Sequence, residues 1–238
     1  MKKYCLSVAV LFLSLASRAQ QDIVVDPNAS IRKVSGEFNA IKISDGIDVY
    51  LSQSEVSAVA VSAADEKMKS GIKTRVENGT LVISFDGDKV WKKKDRNLKV
   101  YVSFEELKKI YAGGACDVFV LGSLTVTALE LQMTGACDFT GTVKVNALKL
   151  KLSGASDVKI SGTANSVEIV STGASDVKGY DFITDYCDAN ISGASDVKIT
   201  VNRELKAHAS GASQISYKGN AVIKEMHSSG ASSIAKAN

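Results

Sequence analysis

The chain is expected to fold as an all-β parallel β-helix, a β-solenoid with coils of about 20 residues and a less regular β region at its N-terminal end. Three observations predict this. A Gly-Ala pair followed by a small, a polar and an apolar residue recurs seven times, at Gly114, Gly135, Gly154, Gly173, Gly193, Gly211 and Gly230. Subtracting successive glycine numbers gives 21, 19, 19, 20, 18 and 19, and a near-fixed period of this length marks a stacked repeat. Between the turns, apolar and polar residues alternate: Leu148, Leu150 and Leu152 are separated by Lys149 and Lys151, the period of a strand with one buried face. No segment of this half spaces its apolar residues as a helix does.

Taken in order, residues 1–19 read as a secretion signal. Lys2 and Lys3 give a basic start, Leu6 to Leu15 an apolar stretch, and Ser17-Arg18-Ala19 a small-x-small cleavage site. The apolar stretch is too short to span a bilayer, and no second candidate follows, so the mature chain is expected to be exported without an anchor of its own. The location then is the periplasm, the outer-membrane surface or the exterior. Removing Lys2, Lys3 and Arg18 brings the formal charge of +3 to zero, which argues against nucleic acid as a partner.

Residues 20–37 form an N-terminal segment, and residues 38–238 one solenoid domain. Its first half, residues 38–105, has strand character without the tidy repeat: Phe38 to Ile43, Tyr50 to Gln53, Val59 to Val61, Ile72 to Glu77, Leu81 to Phe85 and Leu98 to Val102. Asp45-Gly46-Ile47-Asp48-Val49 is a diverged cousin of the later turn. Asn78-Gly79 is the strongest hairpin signal in the chain, and Ala64 to Lys69 has room for one helical turn. This half is expected to begin the solenoid and cap it, because an open apolar end invites aggregation.

In the regular half, residues 106–238, each repeat is one coil with short strands on either side of a Gly-Ala turn. The strands include Leu129 to Met133, Val167 to Ile169, Leu205 to Ala207 and Ile223 to Met226. A sandwich could also hold such strands, but only a solenoid stacks each position on its own copy at about 4.8 Å and so needs identical residues in register. Seven coils would make a rod roughly 34 Å long.

Several constellations carry chemistry. Asp117, Asp138, Asp157, Asp176 and Asp196 follow their turns at one equivalent position. The first reading is structural, each carboxylate accepting a backbone N–H of its own turn. The second is a Ca²⁺ ridge, since hard cations take several oxygen ligands. Copies of one acid do not divide into donor and nucleophile, so they do not make a hydrolase pair. Cys116 and Cys137 occupy the same slot of adjacent coils, within disulfide reach; they either pair or merely fill the small-residue slot. Cys187 has no repeat-equivalent partner. His208 and His227 match in adjacent coils, as solvated neighbours or a metal pair. Trp91, Lys92, Lys93 and Lys94 lie in the densest charge run, read as a solvated hairpin tip or as a finger that contacts a ligand such as an anionic glycan. No nucleophile elbow, P-loop, HExxH or Cys-x-x-Cys occurs, so neither catalysis nor a cofactor is expected.

The order of a signal peptide, Phe38-x-x-Ile41-x-Ile43, Gly46-Ile47-Asp48-Val49-Tyr50-Leu51 and a train of Ser-Gly-Ala-Ser-Asp turns resembles the auto-transporter adhesin, head GIN domain family of exported Bacteroidetes proteins. The resemblance runs from about Phe38 to the C-terminus. It implies a right-handed helix similar to the pectate-lyase-like folds, with glycine turns joining its sheets and no established catalytic residues. The expected function is a non-enzymatic exported solenoid that adheres to a glycan or other surface component through its repeated face. The alternatives are a carbohydrate-active enzyme on the same fold and a purely structural envelope protein. An oligomer is compatible with either.

Overall fold

A computed structural model describes residues 26–87 and 97–238 of the 238-residue chain. Residues 1–19, read above as a secretion signal, and the Trp91–Lys94 run lie outside the described residues. One continuous core runs from Ile41 to Tyr217.

The regular half is a parallel β-solenoid of roughly 19-residue coils. Its main rungs are β9 (Asp117–Gly135), β10 (Asp138–Gly154), β11 (Asp157–Gly173), β12 (Asp176–Gly193) and β13 (Asp196–Ala209). Each pairs in parallel with the next, and equivalent residues face each other: Asp138 pairs with Asp157, Leu150 with Ile169, Gly154 with Gly173. The expected short strands are instead continuous runs of 14 to 19 residues. The reason is that hydrogen bonds run between coils, so they continue around bends that would end a strand in a sandwich. Register shifts between Lys159 and Gly162 and between Gly179 and Ile183 mark where coil lengths differ.

Inward residues alternate along each rung. In β10 these are Phe139, Val143, Leu148, Leu150 and Leu152, all at most 2% exposed, with charged or small residues between them. A coil cannot cover its own apolar side, so its stability comes from the coils above and below.

The irregular half is woven out of sequence order. β2 (Ala40–Ile43) and β3 (Asp48–Gln53) form a coil whose strands pair in parallel with β8 (Lys109–Gly114) and with β9. On the opposite side, β2 and β3 pair in parallel with β6 (Thr80–Phe85) and β7 (Lys99–Phe104). A coil made later in the chain thus lies beneath one made earlier. Antiparallel strands close the end: β4 (Ala58–Ser62) on β7, β1 (Ser30–Arg32) on β4, and β5 (Ile72–Glu77) on β6. The β5–β6 hairpin turns at Asn78 and Gly79, whose φ values of 50° and 72° suit the two-residue turn that the sequence signals. The short helix α1 (Glu66–Gly71) is capped by Asp65, which accepts the Met68 N–H at 2.8 Å. The cap is held by polar contacts as well: Lys69, 7% exposed, donates to the Asn28 carbonyl, and Arg32 donates to the Lys69 carbonyl.

At the other end β14 (Gln214–Lys218) continues the stack to β16 (Ser233–Lys236), and β15 (Val222–Ser228) pairs with β13. Val222 and Met226 are exposed there.

Candidate functional site

Two surfaces run along the rod: a ridge of Gly-Ala turns and a groove on another side.

The ridge is built by backbone. Each alanine N–H donates to the glycine carbonyl of the preceding turn: Ala155 to Gly135, Ala174 to Gly154 and Ala194 to Gly173, all at 2.7 Å. Each aspartate N–H likewise donates to the small residue of the preceding turn, as Asp176 does to Ser156 at 3.0 Å. The small residue itself is fully buried at Ser156, Ser175 and Ser195. The Ser175 hydroxyl accepts the Ser156 N–H at 3.2 Å and donates to the Gly154 carbonyl at 3.4 Å. Along the Ser156, Ser175 and Ser195 turns, side-chain hydrogen bonding therefore belongs to the serines, whereas at the start of the row the Asp48 carboxyl takes a hydrogen bond from the Asp117 backbone.

This corrects the capping role given to the aspartates. Among the described residues, none of Asp117, Asp138, Asp157, Asp176 and Asp196 makes a side-chain hydrogen bond within its own turn. They stack in register as the sequence predicts, with side chains at the surface. Asp157 accepts from Lys178 at 2.8 Å. Asp48 extends the row by one coil and Lys99 by another, which the cousin turn at Asp45–Val49 signals. No group of three His, Cys, Asp or Glu among the described residues is arranged to hold a metal ion.

Stacked like charges repel. Burial raises the Asp48 carboxyl above the ordinary carboxylate value, and the neighbouring Asp117 charge raises it further. Burial and then the Asp138 charge do the same to Asp117. A carboxyl whose folded pKa is raised contributes most below its unfolded value of 3.8 and loses that contribution as pH rises through the folded value. Asp117→Asn is therefore expected to raise stability at neutral pH by about 0.2–1 kcal/mol, the scale of an unfavourable cross-strand pair. It should also flatten the decline of melting temperature above about pH 4. Thermal melts from pH 3 to 8 check this; a variant less stable than wild type at pH 7 contradicts it.

His208 and His227 stack as expected from the repeat, with ring centroids 5.0 Å apart, and His208 Nε2 lies 3.4 Å from Glu225. Flat stacking does not converge two nitrogens on one ion. Cys187 is buried on a third ladder, between Val167 and Leu205, and burial pushes its thiol up to about 12.

The groove was not legible in the sequence. The register aligns Ala128, Ala147, Ser166, Tyr186 and Glu204 in successive coils. Three small side chains in a row leave a hollow of about 900 Å³, with Tyr186, 38% exposed, toward one end. The inward residues Leu129, Leu148 and Val167 contribute to its floor. Along its sides, four lysines face five carboxylates. Lys109 pairs with Glu130 at 3.1 Å and Lys149 with Glu168 at 2.6 Å, while Lys151, just outside, pairs with Glu130 at 2.8 Å. Glu130 is held below its usual value, mainly by the hydrogen bond from Lys151.

The sequence profile of the putative auto-transporter adhesin, head GIN domain family matches residues 37–221. The chain belongs to this family. No curated protein matches it. Among crystal structures, a putative adhesin from Bacteroides fragilis is similar at 24% identity and a TM-score of 0.79, over 88% of this chain and 96% of that one. A putative lipid binding protein from Parabacteroides distasonis has 22% identity and a TM-score of 0.66, over 89% and 97%. A putative adhesin from Parabacteroides merdae has 18% identity and a TM-score of 0.63, over the same shares. At these identities the likeness establishes the head GIN solenoid as the shared fold. None of it assigns a ligand to the groove.

Proposed function

We propose that this head GIN protein is an exported, non-enzymatic adhesin that holds an uncharged, extended glycan along the axial groove. The observation that carries this reading is the aligned hollow at Ala128, Ala147 and Ser166, long in the rod direction and bordered by lysine–carboxylate ion pairs. Ligand sites of this size combine an apolar floor with a few fixed polar groups. A sugar chain matches that composition, with apolar ring faces for the floor and hydroxyls for the carboxylates and ammonium groups beside it. Tyr186 offers a flat apolar face and a polar tip where a sugar ring can rest.

Two other occupants fit less well. A peptide bound by strand addition needs an open sheet edge, and the rungs under this groove are already paired on both sides. An acyl chain would leave a border of charged groups facing hydrocarbon, which is unfavourable. Turnover is disfavoured by the carboxylates themselves. Glu130 and Glu168 are ion-paired, and a general acid near neutral pH needs a raised pKa, opposite to the shift at Glu130.

Filling the hollow tests the reading. Ala147→Trp places a large side chain between Ala128 and Ser166 on the outer side of the rung. Binding to neutral oligosaccharides on a glycan array should fall at least tenfold, with melting temperature within a few degrees of wild type. Equal binding by the variant, or capture by lipid vesicles and no glycan, would contradict the proposal.

A further inference from the structure

The turn ridge contains one contact that the repeat does not explain. Its buried slot holds serine at Ser156, Ser175, Ser195 and Ser213 but cysteine at Cys116 and Cys137. Those two thiols face each other with Sγ atoms 3.0 Å apart, at 2% and 0% exposure. Serine serves the slot by hydrogen bonding to the neighbouring turn. The cysteines serve it poorly, reaching the Gly113 and Thr134 carbonyls only at 3.9 and 3.7 Å. Their one close polar partner is each other.

The backbone fixes this approach. Ala136 N–H donates to the Gly114 carbonyl at 2.8 Å and Asp138 N–H to the Cys116 carbonyl at 3.0 Å, so the two turns are locked on either side of the sulfurs. The location also matters. The Cys116 turn lies directly above the coil built from β2 and β3, where the out-of-order N-terminal weave meets the regular array.

We propose that Cys116 and Cys137 are a modification site, closing into an inter-coil disulfide that staples the first two turns of the regular array. The oxidant is a disulfide-bearing thiol reagent or oxidoreductase. The Cys137 thiolate attacks one sulfur of that disulfide and expels one thiolate, leaving a mixed disulfide. The Cys116 thiolate then attacks the Cys137 sulfur and expels the second. The cysteine pair loses two electrons, the oxidant gains two, and the two thiol protons pass to the two expelled thiolates. Before the coils stack, each cysteine is an ordinary exposed thiol with a pKa of about 8.5, so a fraction is thiolate near neutral pH and can attack. Burial confines exchange to the time when the turn is open, before the coils have stacked. Afterwards the bond is shielded from reductant, which makes it a lasting staple rather than a switch.

The inference is independent of what the groove binds. The test is to refold the full chain from urea in oxidised glutathione or in dithiothreitol, then denature it, alkylate it and map its peptides. The expected result is a Cys116–Cys137 cross-link in the oxidised sample with Cys187 alkylated in both. The oxidised protein should melt about 6–12 °C higher than the reduced one, the shift expected for closing a loop of this length in a chain of this size. The double variant Cys116→Ser, Cys137→Ser carries the residue that the five other turns use, so it should fold and melt identically in both buffers. The proposal is overturned by full alkylation of Cys116 and Cys137 after oxidation, by a cross-link to Cys187, or by an oxidised protein that melts no higher than the reduced one.

Discussion

Gly173→Val is expected to lower the stability of the solenoid by about 3–5 kcal/mol, combining a strained backbone with overpacking. Gly173 has φ of 111°, a region that L residues, and β-branched ones above all, rarely adopt. A Cβ there would overlap the Gly154 carbonyl oxygen and lie 2.9 Å from the Gly154 nitrogen. That carbonyl accepts the Ala174 N–H, so moving it breaks the ladder on both sides. Gly79 separates the two causes. Its φ is also positive, at 72°, but a Cβ there would meet nothing within 4 Å. Gly79→Ala should thus show the backbone part alone, about 1–2 kcal/mol. Urea titration of both variants checks the comparison. Equal losses would show that the turns do not touch as described.

The second large effect tests which way each rung faces. Phe139→Ala should cost about 3–5 kcal/mol, as for other buried aromatic truncations, because Phe139 is 1% exposed among the coil interiors. Phe119 pairs with Thr140 on the outer side and stacks on Tyr50 with centroids 5.1 Å apart. Phe119→Ala should cost no more than about 1.5 kcal/mol, the scale of an aromatic pair. A one-residue slip of register would exchange the two outcomes, since it turns every side chain to the other face. Melting of the two variants side by side decides between them.

The parts of this molecule that show in its sequence are those that stacking forces to repeat. Gly135, Gly154 and Gly173 recur because a Cβ on each would overlap the carbonyl oxygen of the copy before it, so no coil can change that residue alone. The hairpin at Asn78-Gly79 shows because its turn chemistry is local. The weave of β6 and β7 beneath β2 and β3 does not show, because nothing in Leu81 or Val100 says which parallel neighbour it will take. That choice is made by long-range pairing and by the antiparallel strands that close the end.

The turn-capping that the sequence suggests for the aspartates fails for a related reason. Aspartate and serine both suit turns, and the sequence places Ser156 beside Asp157 without saying which side chain points inward. Burial settles it: Ser156 is fully enclosed, whereas the Asp157 side chain is 48% exposed and meets Lys178. The groove escaped notice because an absence makes it. Ala128, Ala147 and Ser166 each stand seven residues before their turn glycine, but they are unremarkable in their own segments and become a hollow only when the coils stack them in line.

The proposed function is tested most directly by a crystal structure of the protein with a neutral oligosaccharide selected on the array. The account predicts the sugar chain parallel to the rod axis over Ala128, Ala147 and Ser166, with one ring against Tyr186 and hydroxyls on the Lys149–Glu168 pair. Sugar bound at the aspartate ridge, or at the Trp91–Lys94 segment with the groove empty, would contradict it.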